Sequence, residues 1–508
     1  MASNVNYKAY FSFLAGQNSA AAPDNLREDE MQRIVNFDII TRGALKSRPG
    51  TVYSDWEFVT TPGAYRTDRL VEYPKNNGTT IKLVLTNGNL YKKGSTTALL
   101  TAVGAHVDYT VYQDKLWLLL NAKYYVYDGT TIAEVTNAQP DSNLASLAKC
   151  KYIINKGERI YAAGNPDEPT AIYYSQIGDA TYFKTGDFRI FANSGDGDAV
   201  AGLHEFQNTV LVFKSRGIWK YEGVSAASDA QFTKLNAESG TKAFRTIKNV
   251  QNYVFFLGAD GVYAIKTTST GVVVTEKISQ MVDDVLKNVQ YNASWWLSSP
   301  VAEVVDGKYF LSFADDPAQP SRNNRMLVCH IGSGIEKSLT PWTEYKYLYV
   351  SDMLKSIDGT LYLADALSQG VIKFDETKHS DRGTQIQYEI MSKDYDLESP
   401  IHVKKVRRGW IVFRQYEDFE TTADVNVVVD YVNKLHAAKE ASESLVWDKG
   451  EWGEEKWGWL DTVTLPFKIG KKGIRVRVEL TGYSDDTFLN HIFVYGFAFE
   501  FKTKRPYK

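Results

Sequence analysis

Between residues 80 and 376 one local pattern of apolar and polar positions recurs: a short apolar strand, a turn that ends in Gly, then an apolar and aromatic strand start. Lys82-Leu83-Val84-Leu85 leads through Asn87-Gly88 to Leu90-Tyr91, and Val210-Leu211-Val212-Phe213 leads through Arg216-Gly217 to Ile218-Trp219. Val254-Phe255-Phe256-Leu257 with Asp260-Gly261 and Val262-Tyr263, and Leu361-Tyr362-Leu363-Ala364 with Gln369-Gly370 and Val371-Ile372, repeat it. Each copy predicts a β-hairpin, because Gly supplies the positive φ that tight turns need.

Related strands begin near Ile81, Leu116, Ile160, Val210, Val254, Tyr309 and Leu361. Their spacing, roughly 35 to 55 residues, is that of propeller blades, and the array predicts about seven of them. Strands such as Trp117-Leu118-Leu119-Leu120 are apolar on both faces, the pattern of a sheet covered on both sides. Ordinary antiparallel hairpins in two sandwiches are the alternative that the pattern leaves open. One helix is expected, capped by Ser279, with Ile278, Val282, Val285, Leu286 and Val289 on one face. Residues Pro23 to Val35 are expected as a shorter helix or an extended arm.

After about Glu376 the pattern changes to longer strands. Val425, Val427 and Val429 alternate, as does Arg475-Val476-Arg477-Val478-Glu479-Leu480, which fits strands with one wet face. Leu435 to Ser444 reads as a short Ala-rich helix or a loop. The expected fold is therefore mostly β: an N-terminal arm (1–50), a propeller-like domain (51–378) and a C-terminal β-sandwich (379–508).

Composition narrows the function classes. At 508 residues the chain exceeds the size of one hydrophobic core, and 32 Tyr, 24 Phe and 11 Trp favour β structure. A net charge of −3 argues against tight hold on nucleic acid through phosphate neutralisation, though transient contact with passing DNA is compatible with it. Cys150 and Cys329 are too few and too far apart for a disulfide framework or a zinc cluster. No segment approaches the roughly twenty apolar residues needed to cross a bilayer, so no membrane insertion is expected. Lys8 with Ala9-Tyr10-Phe11-Ser12-Phe13-Leu14-Ala15 imitates a signal peptide, but its apolar stretch is short and carries Tyr and Ser.

The N-terminal stretch carries a more specific pattern: Gly16-Gln17-Asn18, Pro23, Leu26, Arg27, Asn36, then Gly43-Ala44-Leu45-Lys46-Ser47-Arg48-Pro49-Gly50. It resembles nozzle proteins of short-tailed phages (tail tubular protein B) and related packaged-DNA stabilisation proteins, where a comparable arm leads into a propeller-like body. Trp447-Asp448, Trp452 and Trp457 near the other end are similar to tryptophan repeats in the terminal β domain of such proteins. The resemblance implies a structural protein of a virion tail, made in the host cytoplasm. It implies a homo-hexameric ring, joined to portal, adaptor and other tail proteins, that helps retain and conduct the genome during ejection. On this reading Asn36, Gly43, Arg48, Pro49 and Gly50 belong to an assembly arm, and Trp447, Trp452, Trp457 and Trp459 to an interface. The alternative is a receptor-binding or tail-tip propeller that recognises a host surface glycan, on which the Trp447 to Trp459 cluster would stack against sugar rings.

No local signature of catalysis is present: no His-Glu-x-x-His, Walker A or Gly-x-Ser-x-Gly occurs, and the seven His stand at no metal-ligand spacing. No enzyme, catalytic residue, metal site or cofactor is expected. Asp196 and Asp198 offer carboxylates in a Gly-rich loop, but the ligand set of a calcium loop is incomplete. Asp315-Asp316 and Asp485-Asp486 are similar pairs, and the basic runs Lys404-Lys405-Val406-Arg407-Arg408 and Lys502-Thr503-Lys504-Arg505 read as a solvated strand face and tail.

Overall fold

The computed structural model describes residues 5–506 apart from 41–42, 57–66, 105, 138, 187–188, 208, 223–230, 236–238, 268–272, 292–299, 319–321, 332–339, 369, 415–422, 431, 438–461 and 487–490. Six four-stranded antiparallel meanders follow one another, and their first strands are Thr67–Pro74, Val107–Tyr112, Tyr152–Lys156, Val200–Phe206, Lys248–Val250 and Val301–Val305. A seventh begins with Val350–Lys355, Leu361–Asp365 and Val371–Asp375. Its fourth strand, Gly50–Tyr53, comes from the other end of the chain and pairs antiparallel, with Ile372 opposite Tyr53 and Asp375 opposite Gly50.

The first strands of successive meanders lie against one another, with the turn Phe244–Thr246 between the fourth and the fifth, and the last of them packs on the first. The array is thus propeller-like and closed on itself. The all-apolar strands are explained by this stacking: in Lys115–Leu120, Leu116, Leu118 and Leu120 pack toward the first meander, while Trp117 and Leu119 pack toward the third. The hairpins form where expected, but of the four quoted turns it is Asn87 (φ 49°) and Gly88 (φ 68°) that use positive φ; Gly217, Gly261 and Gly370 do not adopt it.

A second body consists of two facing sheets. One contains Thr462–Gly473, His402–Arg414, Phe493–Pro506, Leu45–Ser47 and Phe37–Ile39, with Asn6–Tyr10 paired to Phe493–Pro506. The other contains Glu30–Val35, Thr384–Ser392, Val476–Ser484, Ala423–Val429 and Val432–Ala437. Phe13, Met31, Ile34 and Phe37 share their core with Ile390, Ile411, Val427, Val478, Phe497 and Phe499.

Three expectations are corrected. Residues 1–50 are not a separate arm: their strands complete both sheets of the second body and the seventh meander, because Phe13, Met31, Ile34 and Phe37 are too apolar to stay in water. The expected helix shrinks to a 3₁₀ turn, Gln280–Val282, and one α-turn, Asp283–Leu286; the Ser279 hydroxyl accepts the Val262 N–H at 2.9 Å instead of capping it. Leu435 to Ala437 lie in a strand, whereas 438–444 fall outside the described residues.

Candidate functional site

Arg69, Asp108 and Asp352 each occupy the second or third position of a first strand, at the end where the strand enters the ring, and Arg245 joins them from the turn before the fifth meander. Asp352 Oδ1 accepts from Arg69 Nη1 at 3.1 Å and from Arg245 Nη2, and its Oδ2 accepts from Leu70 N at 2.8 Å. Arg245 Nη2 also donates to Ser351 O at 2.8 Å. Asp108 Oδ2 accepts from Ile153 N at 2.8 Å, while its Oδ1 stands 3.8 Å from Arg69 Nη2. Lys248 Nζ and Glu303 Oε2 pair at 2.7 Å beside them. Together these groups line an axial cavity of about 220 Å³.

Burial and neighbours separate the two carboxyl groups. Desolvation alone would raise Asp352, but the Arg245 and Arg69 charges overcome it and hold the group below its ordinary range. For Asp108 desolvation wins over Arg69 and the Ile153 N–H, and the pKa is pushed up to about 6. Asp352 is thus held ionised by its guanidinium partners, while Asp108 keeps its proton to a higher pH than an ordinary carboxyl group. Two clefts open nearby. One of about 540 Å³ is lined by His106, Asn121, Lys149, Lys151 and Pro166, and one of about 390 Å³ by Tyr152, Pro166, Pro169, Lys242 and Tyr291.

The residues singled out in the sequence lie elsewhere. Arg48, fully buried, makes a bidentate pair with Asp381 (Nη1–Oδ1 2.9 Å, Nη2–Oδ2 2.5 Å), donates from Nε to Asn36 Oδ1 at 2.9 Å, and donates to Pro49 O at 3.1 Å. Asn36, at φ 60°, also receives the Lys346 N–H on Oδ1 at 3.0 Å and gives its own N–H to Glu344 O at 2.7 Å. A Cβ on Gly50 would stand 2.3 Å from Ser380 O. Gly43, at φ 81°, accepts the Phe13 N–H at 2.9 Å. Asn36, Arg48, Pro49 and Gly50 lie where the meander array meets the second body, and Gly43 holds Phe13 within the second body. They are not presented for assembly, which corrects the arm reading at the level of side chains. Trp447, Trp452, Trp457 and Trp459 lie outside the described residues.

Among the described residues no group of three His, Cys, Asp or Glu is placed to hold a metal ion. Asp196 is taken by Lys214 Nζ at 2.8 Å, and Asp198 by Ser215 Oγ at 2.6 Å and Arg216 N at 2.8 Å. Asp315 accepts from Arg325 Nη1 at 2.7 Å and Asp486 from Ser380 Oγ at 2.7 Å. Lys404 is buried, with Nζ donating to Ile474 O at 2.9 Å, so the first basic run is not solvated throughout. The sequence did hold one signal for the axial cluster: a charged residue at the second or third position of several first strands, namely Arg69, Asp108, Glu303 and Asp352.

No family model and no curated protein matches the chain. Among solved structures it is similar to the extracellular domain of a putative hybrid two-component system from B. thetaiotaomicron, with 11% identity, TM-score 0.41, and coverage of 64% of this chain and 40% of that one. It is also similar to BamB from Moraxella catarrhalis, with 10% identity, TM-score 0.37, and coverage of 65% and 96%. An exo-β-1,3-galactanase from Phanerochaete chrysosporium shows 9% identity, TM-score 0.25, and coverage of 68% and 94%. The mostly β, propeller-like description of this chain rests on its own strand pairing.

Proposed function

We propose that this chain is a structural component of a bacteriophage tail, a seven-bladed propeller fused to a β-sandwich. Six copies would form a ring that helps retain and conduct the genome, beneath the portal and adaptor. One observation carries the reading: the segment from Gly16 to Gly50 that resembles the tail-protein pattern is also the segment that locks the two bodies together through Asn36, Arg48 and Gly50. A rigid two-body subunit suits a wall that must bear mechanical load. Arg69, Arg245 and Asp352 close the axis of the individual array, so on this reading DNA passes between copies and not through a propeller.

A non-catalytic role is supported by Asp352, whose oxygens are engaged by two guanidinium groups and a backbone N–H and so are unavailable to a substrate. The experiment is a reconstruction of purified virions at a resolution that places subunits. Density for this chain around the central axis with six-fold symmetry is the expected result, and its absence from the particle overturns the reading. A second reading, a tail-tip protein recognising surface glycan, is favoured by the cleft beside the axis that the exposed Tyr291 lines. A glycan array answers it: specific binding lost in Tyr291→Ala favours this reading over the ring.

A further inference from the structure

The outward face of the first sheet of the second body has a chemistry unlike the rest of the molecule. Side chains directly opposite on neighbouring strands project to the same side. Lys405 stands opposite Lys472 on one side and opposite Lys502 on the other, so a row of three ammonium groups crosses three strands. Arg407, Arg408 and Lys468 form the next row, against Glu500, the carboxylate that Arg407 meets at 2.9 Å. Two runs that are almost a hundred residues apart in sequence thereby become one surface. Among the described residues Lys405, Lys472, Arg407 and Arg408 are exposed on these rows, where Glu500 is the carboxylate that the arginines meet.

Beside the cations lies an apolar strip. Tyr7 is 69% exposed and its ring centroid is 6.2 Å from that of Trp410. Phe11, 55% exposed, covers Gly496, where a Cβ would meet its ring at 2.7 Å. Leu14, three positions on in the chain, is 44% exposed. Isolated exposed apolar residues need no explanation, but a strip bordered by two rows of cations does.

We propose that this face adsorbs to the surface of an anionic phospholipid bilayer. The cations match the lipid phosphates, and each basic group near such a surface adds to the attraction. The apolar strip selects a bilayer over a phosphodiester chain: Phe11 and Leu14 carry no polar handle, and the interface takes up their hydrocarbon while a nucleic acid leaves it in water. The Tyr7 and Trp410 rings are tilted by 40° to each other and so offer no parallel platform for successive bases. No described helix is long and apolar enough to cross a membrane, and the proposed contact is adsorption. The proposal does not depend on the tail reading.

The test uses the full-length protein and vesicles of phosphatidylcholine with or without phosphatidylglycerol, followed by co-sedimentation at low and high salt. Binding is expected with phosphatidylglycerol, weakened by salt, and absent with phosphatidylcholine alone. Lys405→Gln with Lys472→Gln should weaken it by roughly 30-fold, and Tyr7→Ser with Phe11→Ser should weaken it in the same direction. All four positions are solvent-exposed, and unchanged thermal melting of the variants checks that they fold. No binding to the anionic vesicles, or binding that both double variants retain at full strength, overturns the proposal. So does binding of an oligothymidylate, in place of vesicles, that the same variants abolish.

Discussion

At the scale of single residues, two buried titrating groups pull stability in opposite directions. His330 lies in the sixth meander with Nε2 3.0 Å from Thr343 Oγ1, and burial, against the counter-effect of Asp38, pushes it down to about 4. The unfolded chain binds a proton near pH 6.5 that the folded chain refuses, so this contribution is complete above pH 6.5 and is lost as pH falls toward 4. Asp108, raised to about 6, behaves oppositely: the folded chain holds a proton that the unfolded chain has released, and stability falls as pH rises from about 4 to 6. Each effect is on the order of 3 kcal/mol, so in the native protein they largely cancel. Relative to wild type, His330→Gln should therefore make stability fall more with pH between 4 and 6, and Asp108→Asn should make it rise more. Urea midpoints across that range check both signs. Arg48→Ala leaves Asp381 buried without its bidentate partner and should cost about 3–5 kcal/mol, read as a lowered denaturant midpoint with unchanged slope.

At the scale of elements, the hairpins were legible because their information is local. Asn87-Gly88 and the two-sided apolar run of Lys115–Leu120 specify turn and burial within a few residues. The first fifty residues were not, because their partners lie far along the chain. Asn6–Tyr10 pairs with Phe493–Pro506, and Glu30–Val35 with Thr384–Ser392 and Trp342–Lys346, and nothing local encodes such pairing. The buried clasp was equally hidden: Arg48-Pro49-Gly50 reads as an extended turn, and its carboxylate, Asp381, is 333 positions away. The axial cluster was missed because its four charges come from four separate stretches of sequence. Deleting residues 1–40 removes strands and core residues from the second body and should leave no soluble, folded chain; recovery of a well-dispersed monomer with native near-ultraviolet dichroism counts against this account. Gly50→Ala, forced against Ser380 O, should cost about 1–3 kcal/mol as an overpacking change.

At the scale of the whole molecule, the two bodies share one segment and are not linked by a tether. Gly50–Tyr53 belongs to the seventh meander, Leu45–Ser47 to a sheet of the second body, and Arg48 stands between them, bonded to Asp381. Neither body keeps its edge if the other opens, so calorimetry should record one cooperative transition, whereas linked but independent domains give two. A ring of copies would inherit this stiffness, with subunits that move as units.

The seventh meander has a consequence for how the molecule is made. Its outer strand, Gly50–Tyr53, leaves the ribosome well before its partner Val371–Asp375, which appears more than three hundred residues later, and Asn6–Tyr10 waits for Phe493–Pro506. At roughly 5–20 residues per second, the early strands stay unpaired for tens of seconds, which exposes them to chaperones and to other nascent chains. The same delay acts as a check: a chain released before Phe493–Pro506 is made has nothing to receive Asn6–Tyr10, so that sheet cannot form and the product is left to proteolysis.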